Sequence, residues 1–356
     1  MVYRFYGVWV EVLETSEPLC TIYATICGIT HHAFQHTPSI TFLSGLHCQK
    51  PFDSKTSNWQ MTETKPRIAF KYVHNHNATP TLLIIHGGPG DNSAYLMGPC
   101  AKPLEEKYNV IWYDQRGTGK SERDLSYDAY ATTSHVEDIR RVQEVVGVQQ
   151  VILVAHSWGG MLAGFYAARY PEKVKAFINI NGTGSFLDID HNLINYLKEF
   201  YKSDPKKMAD ARKVEEMPHG FLKFIRRAKL AREAGLYYKD YAKTKKEIAS
   251  YLEQAVISGE YTKEEIKESD DALRMAMDYH SLDTAEIYSI LPEIKASTLV
   301  IAGAYDKIVD TDSLEKYQRA IPNAKLVIFE NSGHHPFQEE PDKFYSVIND
   351  FITQLH

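Results

Sequence analysis

The sequence predicts an α/β protein with a mostly parallel sheet and a helical insertion. Apolar runs of strand length alternate with runs of helical periodicity from residue 61 to about residue 184, and sequences typical of strands resume after residue 290. The apolar runs are nearly continuous, as expected for strands buried on both faces of a parallel sheet. Between residues 185 and 290 the alternation stops, and charged amphipathic segments typical of helices take its place.

The predicted strands share β-branched and aromatic residues followed by a turn or a polar, glycine-containing loop. They are RIAFKYV (67–73), VILVAHS (151–157), VKAFININ (174–181) and the first parts of TLLIIHGGPG (81–90), NVIWYDQRGTGKS (109–121), STLVIAGAYD (297–306) and KLVIFENSGHH (325–335). Helices are predicted over 134–147, with Ser134 as N-cap and Gly147 as C-cap, over 159–171 and over 341–355. This order favours a core at 61–184 and 291–356, with a helical cap at 185–290 inserted into it.

Residues 1–60 are predicted to form an N-terminal extension, because they show no clear periodicity. Their first stretch, VYRFYGVWVEV, fits either an edge strand or a poorly ordered segment. Met61 precedes the first strand of the core, which leads to the hypothesis that the functional protein starts near this residue.

Composition excludes several classes of protein. The chain has 356 residues, 44% of them hydrophobic, and 40 basic against 46 acidic residues, so no basic nucleic-acid surface is expected. No apolar run approaches the roughly 20 residues of a membrane-spanning helix. The four cysteines (Cys20, Cys27, Cys48 and Cys100) match no zinc spacing, the N-terminus is not a good signal peptide, and a reducing cytoplasm is the default expectation. The histidines give no metal-binding spacing, so no metal is predicted.

The stretch AHSWGG places Ser157 where a strand turns into a helix. A serine on such a turn projects its hydroxyl above the carboxyl edge of the sheet, and small neighbours are needed because the backbone is crowded. The same turn aims the N–H of Trp158 at whatever binds over the serine, which is half of an oxyanion hole. The alternative is a serine that caps a helix next to a glycine pair used for packing.

A nucleophilic serine needs a base, and the base needs an orienting carboxylate. Asp306 and His334 follow the carboxyl ends of two later strands, in the chain order expected for this topology. Asp310 and Asp312 are rivals for the acid, and His335 is a rival for the base, but Asp306 follows its strand most closely and Gly333 gives His334 a fixed approach. His335 is expected to be a packing or surface residue, and His86 and His156 are expected to be structural.

The loop HGGPG (86–90) is the candidate for the other half of the oxyanion hole. Gly87 and Gly88 let the backbone approach a substrate, Pro89 stiffens the loop, and the N–H of Gly88 is the predicted donor. The alternative is a plain glycine-rich turn.

Over roughly residues 65–356 the chain resembles the proline iminopeptidase branch of the α/β-hydrolase superfamily. The motifs that carry the resemblance are HGGPG, DQRGTGKS, HSWGG, GAYD and SGHHPF. The resemblance implies an eight-stranded, mostly parallel sheet with a helical cap after the sixth strand. It also implies removal of an N-terminal residue, typically proline, from peptides without a cofactor. Ser157 would be the nucleophile, Asp306 the orienting acid and His334 the base.

One position departs from the family. An aminopeptidase must bind a charged α-amino group, and a family glutamate for this role directly follows the catalytic aspartate, where this chain has Lys307. A second family glutamate comes from the late cap, where Asp270, Asp271 and Asp278 give no clear match. If Lys307 points inward, it would repel an ammonium group and favour neutral substrates. If it points to solvent, a cap carboxylate, Glu215 or Glu216, would bind the ammonium group instead.

Three hypotheses therefore stand at the level of sequence. The first is a serine aminopeptidase that releases N-terminal proline, or another small or apolar residue, from short peptides. The second is an esterase, lactonase or amidase acting on neutral small acyl substrates. The third is a non-catalytic receptor that keeps the fold. The expected partner is a short peptide or small acyl substrate, with neither nucleic acid nor membrane, and the oligomeric state is left open.

Overall fold

The computed structural model describes residues 2–5, 8–11, 58–75, 80–123, 126–182, 184–267, 269, 272 and 287–355. The chain divides into two compact units, Met1–Asp53 and Ser54–His356. In the first, strands β1 (Val2–Phe5) and β2 (Val8–Glu11) pair antiparallel. Cys20, Cys27, Cys48, Asp270, Asp271 and Asp278 lie outside the described residues. Within the described part, Cys100 is a buried free thiol.

The second unit is organised around one eight-stranded sheet. Its strands are β3 (Gln60–Met61), β4 (Ala69–Val73), β5 (Thr81–Ile85), β6 (Asn109–Tyr113), β7 (Val151–His156), β8 (Val174–Ile180), β9 (Ser297–Gly303) and β10 (Lys325–Phe329). Their order across the sheet is β10-β9-β8-β7-β5-β6-β4-β3, and only β4 runs against the rest. The predicted fold class, a mostly parallel eight-stranded sheet, is confirmed.

The described helices cover the faces and the cap. They are α1 (Ala94–Glu105), α2 (Thr132–Val146), α3 (Trp158–Arg169), α4 (Phe186–Phe200), α5 (Pro205–Glu216), α6 (Phe221–Glu233), α7 (Tyr241–Ile257), α8 (Ile287–Ile290), α9 (Thr311–Ala320), α10 (Pro336–Glu339) and α11 (Pro341–Thr353). Among the described residues, no helix is both long and apolar enough to cross a membrane.

The strands β5, β6 and β7 are buried along their whole length, which explains why their sequences are almost continuously apolar.

The predicted N-cap Ser134 is wrong: α2 begins at Thr132 after Ala131, because a 3₁₀ turn at Tyr127–Tyr130 leads directly into it. The other end is as predicted, since Gly147 caps α2 with a left-handed φ of 78°. Among the described residues, five helices, α4 to α8, lie between β8 and β9. The loops that follow β5, β7, β9 and β10 therefore open at one edge of the sheet, beneath this helical segment.

Candidate active site

Ser157 sits on the sharp turn between β7 and α3, with φ 54° and ψ −123°. A positive φ is uncommon for a residue with a side chain and marks a backbone held in place by its surroundings. The turn is possible because Gly159 packs against the end of β5: a Cβ there would lie 2.5 Å from the carbonyl oxygens of Ile85 and His86. Crowding of the backbone, predicted from the small residues, is thus visible at this position.

His334 and Asp306 lie next to this serine. The Nε2 atom of His334 is 3.0 Å from Oγ of Ser157, and its Nδ1 is 2.6 Å from Oδ2 of Asp306. The other oxygen of Asp306 accepts the N–H groups of Ile308 (2.8 Å) and Val309 (3.1 Å). Asp306 is fully buried and His334 nearly so. The structure therefore brings the three predicted residues into one hydrogen-bonded chain that ends at the serine hydroxyl.

The rival residues have other contacts. Asp310 caps α9 by accepting the N–H of Ser313, and Asp312 lies in the first turn of that helix. His335 is buried between two rings, with centroids 5.5 Å from Tyr95 and 4.9 Å from Phe337. Burial lowers the pKa of His335 to about 3, so the ring is neutral at ordinary pH.

The HGGPG loop lies beside the serine. Gly87 is so close that a Cβ on it would be 3.0 Å from Cβ of Ser157, and Gly88 has φ 123° ahead of a cis bond to Pro89. The N–H of Gly88 donates to no acceptor among the described residues. Trp158 begins α3, so its backbone N–H lies at the N-terminus of this helix, directly after Ser157. Both predicted oxyanion residues therefore flank Ser157.

A chain of hydrogen bonds, which the sequence analysis missed, holds these loops together. The N–H of Gly87 donates to the hydroxyl of Tyr95 (2.7 Å), and that hydroxyl is 2.7 Å from Nδ1 of His156. The other ring nitrogen of His156 is 2.9 Å from the carbonyl of His334. Because a carbonyl only accepts, His156 carries its proton on Nε2 and receives the tyrosine proton at Nδ1. Burial keeps the pKa of His156 well below its usual range.

Two further buried residues support the same edge. Asn181, just after β8, donates to the carbonyls of Gly333 and His334 (both 3.0 Å) and accepts the N–H of Gly303 (2.9 Å). Gln115, from the DQRGTGKS motif, accepts the indole N–H of Trp158 and donates to the carbonyl of His86. Neither gave a signal beyond its position after a strand.

The segment between α6 and α7 is pinned to both loops. The carbonyl of Leu236 accepts the N–H of Lys307 (3.1 Å), and that of Tyr237 accepts the N–H of His334 (2.6 Å). Glu339 accepts the N–H of Gly333 at one oxygen (2.7 Å) and that of Lys239 at the other (2.9 Å). Burial raises the pKa of this half-buried carboxyl.

A cavity of about 380 Å³ opens over Ser157, within the usual range for small-molecule sites. Pro89 lies in its wall, as do apolar side chains from the loops and helices around it: Trp158, Phe186, Ile189, Phe224, Ile308 and Val309. Glu215 and Glu216 do not reach it. They lie exposed on α5, because that helix turns Ala211 and Val214 inward, and Glu215 instead pairs with Lys198.

Lys307 also points away from the cavity. Its ammonium donates to the carbonyl of Ala304 (3.1 Å) and lies 5.2 Å from the ring centre of Tyr196. Among the described residues that line the cavity, Asp91 is the one carboxylate, and Arg227, Arg232 and Lys245 are the cations. No cluster of metal-ligating side chains occurs among the described residues.

A sequence profile of the family described as alpha/beta hydrolase fold matches residues 80–341. The chain belongs to the alpha/beta hydrolase fold family. The proline iminopeptidase of Saccharolobus solfataricus is 26% identical over 304 residues, which cover 81% of this chain and 90% of that protein. The predicted resemblance to the proline iminopeptidase branch is thus confirmed.

Solved structures of this hydrolase family show the same fold. The proline iminopeptidase of Mycobacterium smegmatis superposes with a TM-score of 0.64 at 21% identity, covering 83% of this chain and 98% of that one. An esterase from Exiguobacterium antarcticum gives a TM-score of 0.60 at 18% identity, covering 84% of this chain and all of that one. At these identities the superpositions show only that the fold is shared.

Proposed function

We propose that this hydrolase is a serine aminopeptidase that releases N-terminal proline, or another small or apolar residue, from short peptides through an acyl-enzyme. The observation that carries the proposal is the hydrogen-bonded chain from Asp306 through His334 to the hydroxyl of Ser157. The names of its relatives favour an iminopeptidase, and the apolar wall of the cavity suits the pyrrolidine ring of proline.

In the proposed mechanism, Oγ of Ser157 attacks the scissile carbonyl while Nε2 of His334 takes its proton. Asp306 holds the tautomer that leaves Nε2 free to accept, and it stabilises the imidazolium that forms. The N–H groups of Gly88 and Trp158 would receive the oxyanion, a kind of contact worth about 3 kcal/mol for each donor. His334 then protonates the leaving amine, and a water activated by the same nitrogen hydrolyses the acyl-enzyme.

Asp91 is our candidate for binding the substrate's α-ammonium group. It follows the HGGPG loop directly and supplies the cavity's one described carboxylate. A charge-assisted hydrogen bond to an ammonium group is stronger than a neutral one. Asp91→Asn should therefore raise KM for a prolyl arylamide about tenfold, and change KM for a short acyl ester by less than about twofold. An equal rise for both substrates, measured by steady-state kinetics, would speak against this role.

The proposed function is tested by comparing hydrolysis of a prolyl arylamide, its N-acetylated form and a short acyl ester, with Ser157→Ala as the control. We expect rapid cleavage of the free prolyl arylamide and little cleavage of the acetylated form. Turnover of the ester without the amide would instead favour an esterase, lactonase or amidase for neutral substrates. Absence of any turnover, together with no labelling of Ser157 by a fluorophosphonate, would favour a non-catalytic receptor.

A further inference from the structure

Two cations line the cavity from different cap helices. Arg232 lies near the end of α6, and Lys245 lies in the first half of α7. Both residues are exposed, so their charged ends lie where the cavity meets solvent rather than at the reacting atoms. The segment that joins these helices is the one pinned to the His334 loop, so both helices are anchored next to the site.

Neither of these two charges is balanced by a carboxylate in the described structure. The ammonium of Lys245 lies 5.7 Å from the ring centre of Tyr241, which lines the same cavity. Neither Arg232 nor Lys245 forms an ion pair or a side-chain hydrogen bond with a described residue. Other cap cations do form ion pairs, among them Lys198, Lys207 and Lys243. The third cation in the wall differs from them. Arg227 is buried and paired with Asp190, so the charge of this arginine is balanced inside the cap. Asp190 also lies 2.6 Å from His219.

The carboxylates of the same helices point elsewhere. Glu233, next to Arg232, pairs with Lys207, and Glu247, near Lys245, pairs with Lys243. Among the described residues, the cap therefore presents only positive charge to the cavity, while the one negative charge, Asp91, comes from the core loop. A surface arranged in this way suits a ligand that carries a carboxylate at the end nearer the cap.

We infer that Arg232 and Lys245 bind a carboxylate on the leaving group of the substrate. This inference rests on the proposed function: with proline as the acyl group, the leaving group is the rest of the peptide, and its carboxylate is the free C-terminus. Guanidinium and ammonium groups both bind carboxylates through charge-assisted hydrogen bonds. The substrate class is then a short peptide with both ends free, held by Asp91 at one end and by the two cations at the other.

The test uses substrates that differ by one charge. Prolyl-4-aminobenzoate and prolyl-4-aminobenzamide have the same scissile amide, and only the first has a carboxylate on the leaving group. We expect kcat/KM to be about tenfold higher for the carboxylate substrate at low salt, and the ratio to fall as salt screens these exposed charges. In the double variant Arg232→Gln, Lys245→Gln the ratio should fall to within about twofold of unity.

The matched control is the double variant Arg226→Gln, Lys246→Gln. It removes the same two charges from the same two helices, at exposed positions that do not line the cavity. It should keep the wild-type ratio. A wild-type ratio near unity would overturn the inference, as would a ratio that survives in the Arg232, Lys245 variant or that drops equally in the control.

A second substrate pair separates this inference from the proposed function. In 4-acetoxybenzoate and 4-acetoxybenzamide, the leaving group is again matched except for the carboxylate, but no peptide is involved. If the prolyl substrates are not cleaved and the acetoxy pair still shows the preference, the aminopeptidase fails and the cation pair stands. If neither pair is cleaved, 4-aminobenzoate should slow fluorophosphonate labelling of Ser157 more than 4-aminobenzamide does, and equal protection would overturn the inference.

Discussion

The two sides of the cavity differ in how their functional side chains are held. We call the side formed by the loops after β5, β7, β9 and β10 the core edge, and the side formed by α6 and α7 the cap wall. On the core side, buried loops hold Ser157, His334 and Asp306 through hydrogen bonds of 2.6–3.0 Å. On the cap side, the exposed Arg232 and Lys245 lie in the wall without a described ion-pair partner. A rigid, enclosed edge suits chemistry that needs fixed geometry, and an open charged wall suits the choice of substrate. Changes on the core side should therefore affect the rate of the chemistry more than changes on the cap side.

The largest effect is expected from Asp306→Asn. The anchored oxygen of Asp306 accepts two backbone N–H groups, so an asparagine should place its carbonyl there and turn its NH₂ group toward His334. The ring would then accept at Nδ1 and carry its proton on Nε2, where it cannot take the proton of Ser157. We expect kcat to fall by about 10³–10⁴-fold. Steady-state kinetics measures this, and a variant with nearly normal kcat and an unchanged melting temperature would remove Asp306 from the mechanism.

The second prediction concerns pH and the neutral histidines of the core edge. Burial lowers the pKa of His86 to about 4 and that of His335 to about 3, and it lowers that of His156 well below its usual range. Below pH 6.5 the unfolded chain binds protons that the folded chain does not, so stability is present above this pH and is lost on acidification toward the folded pKa values. Each histidine should contribute a slope of about 1.4 kcal/mol per pH unit.

Urea unfolding at pH 7 and pH 5 measures this loss. His335→Gln keeps a donor for Gln338 but cannot titrate. It should therefore lose less stability than the wild type on acidification, by up to about 1.4 kcal/mol per pH unit. If acidification costs His335→Gln as much stability as it costs the wild type, His335 is not held neutral in the folded chain.

The core edge was largely predictable from sequence, and the cap wall was not. Ser157, Asp306 and His334 each follow a strongly apolar strand, and parallel strands bring their carboxyl ends to one edge whatever the intervening sequence. Glu215 and Glu216 were chosen by charge alone, and the helix α5 turns them to solvent. Of the cap aromatics, Phe186 and Phe224 line the cavity whereas Tyr201 is buried in the cap core, a division that depends on packing between helices.

Residues that support other residues were also missed. Asn181 and Tyr95 make their contacts with backbone groups or histidines far away in the chain, so no local pattern marks them. The cysteine spacing and the charge balance excluded other classes of protein, but they placed nothing at the site.

Glu339 stands at the border between the two regions, and its replacement should have an intermediate effect. A glutamine has one acceptor oxygen, so Glu339→Gln can serve the N–H of Gly333 or that of Lys239 but not both. We expect about a tenfold loss in kcat/KM for an ester substrate, because the backbone of the His334 loop and the segment after α6 would no longer share one anchor.

The control for Glu339 is Glu330→Gln, which removes an exposed carboxylate that pairs with Lys343 away from the cavity. It should leave kcat/KM within about twofold of the wild type. If Glu339→Gln behaves like this control, the hydrogen bonds of Glu339 do not position the loop.

The smallest effect is expected from Lys307→Glu, although this change restores the residue type that the iminopeptidase resemblance leads one to expect beside Asp306. The position points to the carbonyl of Ala304 and the ring of Tyr196 rather than into the cavity, so a carboxylate there would not meet the substrate's amino group. We expect KM for a prolyl arylamide to change by less than about twofold, because this half-buried side chain lies outside the cavity wall. A fall of tenfold or more would show that this site binds the ammonium group from the Asp306 loop after all, and that the role we give to Asp91 on the opposite loop is wrong.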